Sequence, residues 1–387
     1  MVISQFYPII GGAEKQAQLL AKKLIEKGID ITIATGWWNF GTPRKEVIDG
    51  IPVVRNFALW RMFGIKGVRF LGALAHMVSL GMFLRVHGEE YDLIHVHQVL
   101  YPAFIAVLVG KGMLRKPVLA KSACSGITND IRHFRRFPFG GLQLKYVVKR
   151  MDSLIALNLE SANEFKAIGY PETRTVLIPN GVAIPPNGKA DYRSIRQVIT
   201  AVRLDKQKGI DVLLKAWSEV VREEKGVQLV ILGKGPLESE LKKLSKSLLV
   251  SDTVKFAGAV HDVERYLSDS DLFILPSRAE GLSNALLEAM SYGIPCIATT
   301  VAGSGELLEP AGKEVLPGEY ATVSHGVLVN PDDVRGLSQA IVYLIRNGAA
   351  REDLGEKGRA FVQEKYSIDL VADKYLALYQ CMLGRRF

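Results

Sequence analysis

Short apolar segments recur along the whole sequence, and segments of helical period lie between most of them. In the first half the apolar runs include "YDLIHVH", "KPVLAKS", "DSLIALN" and "TVLIPN". They are continuous rather than alternating, which indicates strands whose two faces are both covered. Such strands are typical of a parallel sheet with helices on either side, so the sequence predicts an α/β fold.

A break in this alternation divides the chain. The segment "IPNGVAIPPNGKADYRS" carries Pro179, Pro185 and Pro186 among glycine and asparagine residues, which is the composition of a linker. Beyond it the pattern restarts with "QVITAVRL", "VQLVILG", "DLFILPS" and "IPCIATT". A chain of 387 residues is also too long for one ordinary core. We therefore predict two α/β domains joined near residue 185.

Positive charge is concentrated in the first half of the chain. Residues 1–186 carry 23 Lys and Arg against 13 Asp and Glu, and the remainder carries 26 against 27, which together give the net charge of +9. Basic surfaces attract the phosphates of lipids, nucleic acids or small substrates. The sequence has no nucleic-acid motif and no basic run interleaved with stacking aromatics, so we do not expect nucleic acid as a partner.

The compartment and any membrane contact follow from two further features. Cys124, Cys296 and Cys381 match no metal or disulfide spacing, and no signal peptide is visible, so we expect a reducing, cytoplasmic compartment. The longest apolar stretch, Phe70 to Leu84, is shorter than the roughly 20 residues of a spanning helix. We interpret it as a helix buried against a sheet, with a membrane-dipping helix as the alternative. The adjoining stretch, Leu59 to Phe70, has the composition of a membrane interface or a loop.

Two carboxylates lie eight positions apart in "EGLSNALLEAM", Glu280 to Met290. Ser283 is a good N-cap and a strand ends just before, so we place Glu280 in a strand-to-helix loop and Glu288 inside the helix. The N–H groups of such a loop favour an anion, and carboxylates accept hydrogen bonds from a vicinal diol. A ligand with phosphates, a ribose and a sugar would use every part. Two ordinary surface acids are the alternative.

Two other loops carry groups suited to phosphate. Arg203 and Lys208 in "AVRLDKQKGID" follow a strand, where Arg grips phosphate oxygens in a fork and Lys adds a point charge. A solvated basic turn is the alternative. Gly11 and Gly12 follow the first strand and open a helix, where backbone can approach a phosphate or sugar. Their spacing is not the dinucleotide fingerprint, so we do not expect a dehydrogenase.

Taken together, eight segments in this order resemble family 4 glycosyltransferases. The segments are "FYPIIGGAEKQA", "YDLIHVHQ", "IPNGV", "VRLDKQKGID", "LGKGPLESEL", "VKFAGAV", "LPSRAEGLSNALLEAMSYGIPCIAT" and "HGVLVNPDD". The resemblance covers nearly the whole chain. It implies the GT-B fold, with two Rossmann-like, doubly wound domains facing a central cleft. Residues 1–185 would bind the acceptor and 186–365 the nucleotide sugar, and a C-terminal helix at 366–387 would pack back toward the first domain.

The resemblance also implies roles for individual residues. The donor-binding set would be Gly12, Arg203, Lys208, Glu280, Gly281, Leu282, Ser283 and Glu288. Arg203 and Lys208 would hold the diphosphate, and Glu288 would accept hydrogen bonds from the ribose hydroxyls. Glu280 would contact the donor sugar, and with Arg203 and Lys208 it forms the predicted catalytic set. Gly12 would approach the diphosphate when the cleft closes. The family retains anomeric configuration and needs no metal or other cofactor.

The first half departs from the family pattern in places. Many members have a His soon after the strand that matches "KPVLAKS", whereas "SACSG" follows here, so we assign no histidine base. Asp130 and His133 are the acceptor-side candidates, with a loop acid and a surface His as the alternative. His95 and His97 face the same way on a strand, and we expect them in the cleft or the core. Relatives usually have a few residues before the strand that begins here at Met1, which suggests an upstream start.

These features predict a hexosyl- or related glycosyltransferase. It would move a sugar from a nucleotide-diphosphate sugar to a hydroxyl of a glycan or lipid-linked glycan in polysaccharide biosynthesis. The basic first half predicts peripheral contact with an anionic membrane on the cytoplasmic face. Two alternatives stay open: a nucleotide-sugar epimerase of the same fold, and a non-catalytic partner that binds nucleotide sugar or lipid in a glycan assembly complex.

Overall fold

The computed structural model describes residues 1–9, 11–58, 69–123, 130–189, 191–260 and 262–384. Residues 59–68, which belong to the predicted interface stretch, and residues 124–129, which follow "KPVLAKS", lie outside the described residues. The chain divides into two compact units. One comprises Met1–Gly181 together with Ile368–Phe387, and the other comprises Val182–Ser367.

The first unit is built on a sheet of mainly parallel strands. Its described strands are β1 (Val2–Ile3), β2 (Ile33–Trp37), β3 (Lys45–Ile48), β4 (Ile51–Phe57), β5 (Ile94–His97), β6 (Val118–Lys121), β7 (Ser153–Ala156) and β8 (Thr175–Leu177). In the described residues they form one eight-stranded sheet in the order β3-β4-β2-β1-β5-β6-β7-β8. Neighbours pair in parallel, apart from the antiparallel β3–β4 pair. Strands β5, β6 and β7 are buried at every position, as continuous apolar runs predict.

Helices connect these strands. They are α1 (Gly12–Glu26), α2 (Arg69–Val86), α3 (Tyr101–Ile105), α4 (Asp130–Arg135), α5 (Gly140–Arg150) and α6 (Leu159–Ala167). A π-helical stretch, Ala106–Lys111, continues α3. Helix α6 shows how local sequence sets a boundary, because Asn158 and Ser161 form a reciprocal capping box at its start.

Helix α2 differs from the buried helix that its composition favours. One face packs into the core through Ala73, Met77, Leu80 and Leu84, which are all buried. The opposite face is exposed and still apolar, with side chains of Leu71, Leu74, Val78, Met82 and Val86. Among the described helices, none combines the length and hydropathy of a membrane-spanning segment. An apolar strip of about 22 Å therefore runs along the surface of the first unit.

The second unit repeats the same plan. Its described strands are β9 (Gln197–Ala201), β10 (Gln228–Leu232), β11 (Val254–Gly258), β12 (Leu272–Leu275), β13 (Cys296–Thr299), β14 (Tyr320–Val323) and β15 (Gly326–Val329). They form a sheet in the order β11-β10-β9-β12-β13-β15-β14, parallel except for the β14–β15 pair. Its helices are α7 (Ile210–Glu223), α8 (Glu238–Ser247), α9 (Val263–Ser268), α10 (Asn284–Ser291), α11 (Ala302–Leu308), α12 (Val334–Arg346) and α13 (Gly348–Tyr366). The predicted α/β class is thus confirmed in both units.

A final helix, α14 (Ile368–Leu383), belongs to the first unit. It covers polar side chains of the first sheet. The hydroxyl of Tyr379 lies 2.7 Å from Nδ1 of His95, and Nζ of Lys121 lies 5.6 Å from the ring centre of Tyr375. All four side chains are buried, so the core of this unit includes a segment that follows the second unit in sequence.

Candidate functional site

Most of the functional residues predicted in the second half lie on loops at one edge of the second sheet, and Glu288 lies in the helix after the second of these loops. Strands β9 and β12 are neighbours in that sheet and run parallel, so the loops that follow them leave from the same edge. The first loop carries Arg203 and Lys208, and the second carries Glu280. Residues 72 positions apart in sequence are brought into direct contact in this way.

Lys208 and Glu280 form an ion pair. Nζ of Lys208 lies 2.6 Å from Oε1 of Glu280, and their side chains are 20% and 8% exposed. Ser277, at the end of β12, donates a hydrogen bond of 2.7 Å from Oγ to the same carboxylate oxygen. Ser277 is itself fully buried, and its carbonyl accepts from the Thr299 hydroxyl at 2.6 Å. The carboxylate of Glu280 is therefore held from two sides.

Two glycines allow these loops to approach so closely. Gly209 has φ +64°, and a Cβ there would lie 2.0 Å from the carbonyl oxygen of Pro276. Both the backbone conformation and the space require glycine next to Lys208. A Cβ at Gly303, in the first turn of α11, would lie 1.5 Å from the carbonyl oxygen of Gly281. Backbone packs directly on backbone on both sides of Glu280.

Helix α10 begins where the sequence predicts. The Ser283 hydroxyl oxygen accepts from the Leu286 N–H at 3.3 Å, so Ser283 is its N-cap, and Gly281 and Leu282 lie in the loop before it. Glu288 falls in the second turn and is half-buried. The loop and the start of this helix lie next to the Lys208–Glu280 pair, which suits a negatively charged ligand.

The side chain of Arg203 is more exposed and less constrained than that of Lys208. Its side chain is 72% exposed, and its Nε lies 3.5 Å from the carboxylate of Asp205. Asp205 also caps the short helical turn Lys206–Lys208 by accepting from the Gln207 N–H at 3.0 Å. Arg203 can therefore reorient toward a ligand, whereas the turn that carries Lys208 is fixed.

One acidic pair near β12 has the Asp-x-Asp spacing. Asp269 and Asp271 precede the strand, at the opposite end from Glu280. The carboxylate of Asp271 lies 2.7 Å from Nζ of Lys189 and accepts from the backbone N–H groups of Arg196 and Gln197. Asp271 thus serves the packing of the sheet. Throughout the described residues no group of three or more His, Cys, Asp or Glu side chains is arranged to hold a metal ion.

In the first unit, Gly12 is the first residue of α1. The turn before it is shaped by Glu14, whose Oε2 occupies the space a Cβ of Gly11 would need, at 2.6 Å. Burial raises the pKa of Glu14. Hydrogen bonds from the backbone N–H groups of Glu14 and Gly11 lower it, but by less than burial raises it. A Cβ at position 11 would displace the carboxylate tip of this buried acid, a contact that the Gly-Gly pattern alone did not reveal.

The two acceptor-side candidates have different surroundings. Asp130 is buried, and its Oδ2 accepts from the N–H groups of Val99 and Ala123 at 3.2 and 2.8 Å. It ties together the segments that follow β5 and β6. His133 is exposed on α4. The position of Asp130 fits a residue that shapes this edge of the sheet, and the contact of either residue with an acceptor stays a prediction.

The two strand histidines lie inside the first unit. Their rings stack with centres 4.3 Å apart, and both are buried. Burial lowers the pKa of His97 well below its usual value, and the nearby charge of Lys121 lowers it further. Burial likewise lowers the pKa of Lys121, to about 7. The sequence predicts these rings in the cleft or in the core, and their burial is that of core side chains.

Sequence reasoning missed several residues of the second-unit site. Ser277 bonds Glu280 only three positions on, whereas Gln207 and Arg278 fix the loops through hydrogen bonds to partners 72 positions away in sequence. No local spacing reveals such partners. Gly303 is different, because the glycine-rich stretch "VAGSG" is a signal for close backbone approach.

Family models match both halves of the chain. The family model described as "Glycosyltransferase Family 4" matches residues 10–184, and the one described as "Glycosyl transferases group 1" matches residues 196–347. The chain belongs to glycosyltransferase family 4. The resemblance inferred from the motifs is confirmed, and this family 4 member is a nucleotide-sugar-dependent glycosyltransferase.

Individual relatives agree with the family. The N-acetyl-alpha-D-glucosaminyl L-malate synthase of Bacillus anthracis is 22% identical over 389 residues, which cover 97% of this chain and 96% of that protein. The structure of sucrose-phosphate synthase from Thermosynechococcus elongatus superposes with a TM-score of 0.78 at 19% identity, covering 99% of both chains. Anabaena HepE in complex with UDP-glucose gives a TM-score of 0.73 at 18% identity, covering 98% and 99%. The predicted GT-B fold of this glycosyltransferase is confirmed.

Proposed function

We propose that the protein transfers a hexosyl or related group from a nucleoside-diphosphate sugar to a hydroxyl of a glycan or lipid-linked acceptor, with retention of anomeric configuration and without a metal ion. The observation that carries the donor side is the Lys208–Glu280 ion pair at the carboxyl edge of the second sheet. It places one cation and one hydrogen-bond acceptor side by side, which are the groups that a diphosphate and a sugar hydroxyl need.

The ion pair suggests how a donor would be bound. Lys208 would exchange its carboxylate partner for a phosphate oxygen, and the exposed Arg203 would fold onto the same diphosphate. In the described residues both hydrogen bonds to Glu280 use Oε1, so Oε2 is the oxygen that a sugar hydroxyl can approach. Glu288 would accept from the ribose hydroxyls, and the backbone from Gly281 to Ser283 would line the site.

The reaction would then proceed on one face of the sugar. The bond between the anomeric carbon and the diphosphate oxygen breaks, and the acceptor oxygen forms its bond to that carbon from the same side. The acceptor proton passes to the departing oxygen, so the products are the glycosylated acceptor and a nucleoside diphosphate. Positive charge from Lys208 and Arg203 stabilises the leaving group as its negative charge grows, which is the role a metal ion would otherwise fill.

A donor screen tests this proposal. The purified protein is incubated with UDP-, GDP- and ADP-sugars, with and without added acceptors, in buffer that contains a metal chelator. We expect slow hydrolysis of one donor class without acceptor and a product whose anomeric configuration, read by NMR, matches the donor. Loss of all activity with chelator contradicts metal independence, and an inverted product contradicts retention. Conversion of the donor to an epimer would favour the epimerase alternative, and binding without turnover the non-catalytic partner.

The acceptor side is supported by the surface of the first unit. The exposed face of α2 offers apolar side chains, and the exposed Arg85 ends the same face. The basic segment Ile131–Phe137 is linked to the same helix through its buried side, because His76 of α2 and Phe137 both contact Tyr101. Apolar side chains beside cations are the groups that a peripheral protein presents to an anionic lipid surface. We therefore propose that the acceptor is presented at a membrane.

A further inference from the structure

The side chain of Arg278 joins three segments of the second unit. Its Nη1 and Nη2 donate to the two carboxylate oxygens of Asp211 at 2.9 and 2.8 Å, in the fork geometry that Arg alone provides. Nη1 also donates to the carbonyl of Lys206 at 2.6 Å, and Nε donates to Oδ1 of Asp332 at 2.7 Å. These partners lie on the turn before α7, on α7 itself and on the loop after β15.

Backbone bonds strengthen the same connection. The N–H of Arg278 donates to the carbonyl of Gln207 at 2.7 Å, and the side-chain amide of Gln207 donates back to the carbonyl of Ala279 at 3.0 Å. Gln207 is the neighbour of Lys208, and Ala279 is the neighbour of Glu280. The two loops are therefore fastened to each other one residue away from each member of the ion pair.

The network is partly shielded from water. The side chains of Arg278 and Asp211 are 22% and 35% exposed. Burial works against the ionised form of Asp211, but the hydrogen bond and charge of Arg278 outweigh it and hold the pKa of that carboxyl below its usual value. Asp332 completes the network from a left-handed backbone conformation, with φ +62°. A fork of this kind has directional hydrogen bonds that a surface ion pair lacks.

We propose that Arg278 is a positioning residue: it sets the separation of Lys208 and Glu280, and through them the binding of the donor diphosphate and the rate of transfer. This inference rests on the donor-binding roles proposed above for those two residues. In the described part of the chain, the side-chain hydrogen bonds of Arg278 go to Asp211, Asp332 and the carbonyl of Lys206 and not to Lys208 or Glu280.

Arg351 is a buried arginine with a structural role, which contrasts with the role proposed for Arg278. Its guanidinium is fully buried and donates to the carbonyls of Leu344 and Ile345 at the end of α12 and to those of Tyr192 and Arg193. Arg351 thus satisfies backbone groups at a helix end away from Lys208 and Glu280. Arg278 instead joins the loops on which those two residues stand, so its loss should affect the site more than the fold.

The experiment compares Arg278→Ala and Arg278→Lys with Arg346→Ala. Arg346 is the matched control, because it also reaches two acidic side chains, Glu223 and Glu224, but touches neither loop. Backbone hydrogen exchange is measured without ligand, the affinity for UDP and for GDP by calorimetry, and kcat and KM with the donor found in the screen.

For Arg278→Ala we expect faster exchange in both residues 203–209 and 278–283, and kcat lowered by roughly 10²-fold, the effect of misplacing a reacting group by about 1 Å. Arg278→Lys keeps the charge but not the fork, so it should recover only part of the activity. Millimolar guanidinium should partly restore Arg278→Ala but not Lys208→Ala. Arg346→Ala should leave exchange in these loops and kcat unchanged.

Unchanged exchange in both loops of Arg278→Ala would overturn the inference whatever the activity. So would wild-type kcat and KM in that variant. If the wild-type protein turns over no donor, the proposed function fails instead, and the exchange measurement still decides whether Arg278 holds the loops.

Discussion

Lys208 and Glu280 occupy each other's hydrogen-bonding groups, with Nζ 2.6 Å from Oε1 in a pair that is largely shielded from solvent. Neither group is left as an uncompensated buried charge, which would be costly. On donor binding, the ammonium of Lys208 would pair with the diphosphate, and the carboxylate of Glu280 would accept a hydrogen bond from a sugar hydroxyl. The pair thus keeps both groups in place for a ligand that needs both.

Replacing Lys208 with alanine should lower kcat by roughly 10²-fold or more, because a contact that strengthens as charge grows on the leaving group is lost. The fold should survive, as the turn is held by Asp205 and Gly209. Lys225→Ala, at an exposed position after α7, is the control and should be neutral. Steady-state kinetics with the preferred donor measures the effect. Wild-type turnover of the Lys208 variant would contradict its role at the diphosphate.

Alanine substitutions of the two carboxylates of the motif should change different quantities, nucleotide affinity for Glu288 and turnover for Glu280. Glu288→Ala should mainly weaken the binding of free nucleoside diphosphate, since ribose contacts change little during the reaction. Glu280→Ala should mainly reduce turnover, since the sugar to which it is assigned distorts in the transition state. Calorimetry gives the first quantity and kinetics the second. If Glu280→Ala loses nucleotide affinity while Glu288→Ala keeps it, the assigned roles are wrong.

Two glycines with similar backbone angles offer a matched test of the packing beside Lys208. Gly209 and Gly226 have φ of +64° and +79°, but only Gly209 is enclosed: no heavy atom lies within 4 Å of a Cβ at Gly226, whereas the oxygen of Pro276 lies 2.0 Å from one at Gly209. Gly226→Ala should cost about 1–2 kcal/mol of unfolding free energy, the usual left-handed penalty. Gly209→Ala should cost more and also lower activity, because the turn must shift. Chemical denaturation and donor kinetics measure both, and equal losses in the two variants would refute the packing argument.

How much of this the sequence predicts depends on the range of each interaction. Continuous apolar runs and caps such as Ser283 are local signals, and they locate the strands, α10 and the loop that carries Glu280. The contacts of Arg278 join residues 54 and 67 positions apart, and no local pattern encodes them. The sequence also does not indicate the exposed apolar face of α2, because a helix that is apolar all round has no periodicity to show which face is buried.

The exposed face of α2 should bind anionic vesicles. We expect co-sedimentation with phosphatidylglycerol-containing vesicles at low salt that declines through physiological ionic strength, where charges are screened beyond about 8 Å. Met82→Glu should weaken it. Leu159→Glu is the control, because Leu159 is equally exposed on another helix of the same unit, 65% against 64%. Failure to bind at low salt, together with full activity on a soluble acceptor, would remove the membrane from the proposal and leave the cations to hold an anionic soluble acceptor.

Lys121 should make stability depend on pH. Burial lowers its pKa from 10.5 to about 7, in contact with Tyr375 and close to His97. Between about pH 7 and 10.5 the unfolded chain therefore binds the proton more tightly, so the contribution of Lys121 to stability rises with pH across this window and is least below pH 7. Lys121→Met should stabilise the protein more at pH 6 than at pH 9, as urea unfolding measures. The exposed Lys166→Met is the control, and an equal gain at both pH values for Lys121→Met would contradict the linkage.

The discontinuous first unit constrains the order in which the protein can be made. Tyr375 and Tyr379 cover Lys121 and His95, yet they leave the ribosome only after all of Val182–Ser367 has been synthesised. Until then α14 cannot cover the first sheet, and the side chains of Lys121 and His95 remain exposed to water. The second unit, which is continuous in sequence, can close its own core first. The first unit can therefore be completed only after the second has been synthesised, and a chain that stops at Ser367 would hold a complete second unit and an unfinished first one.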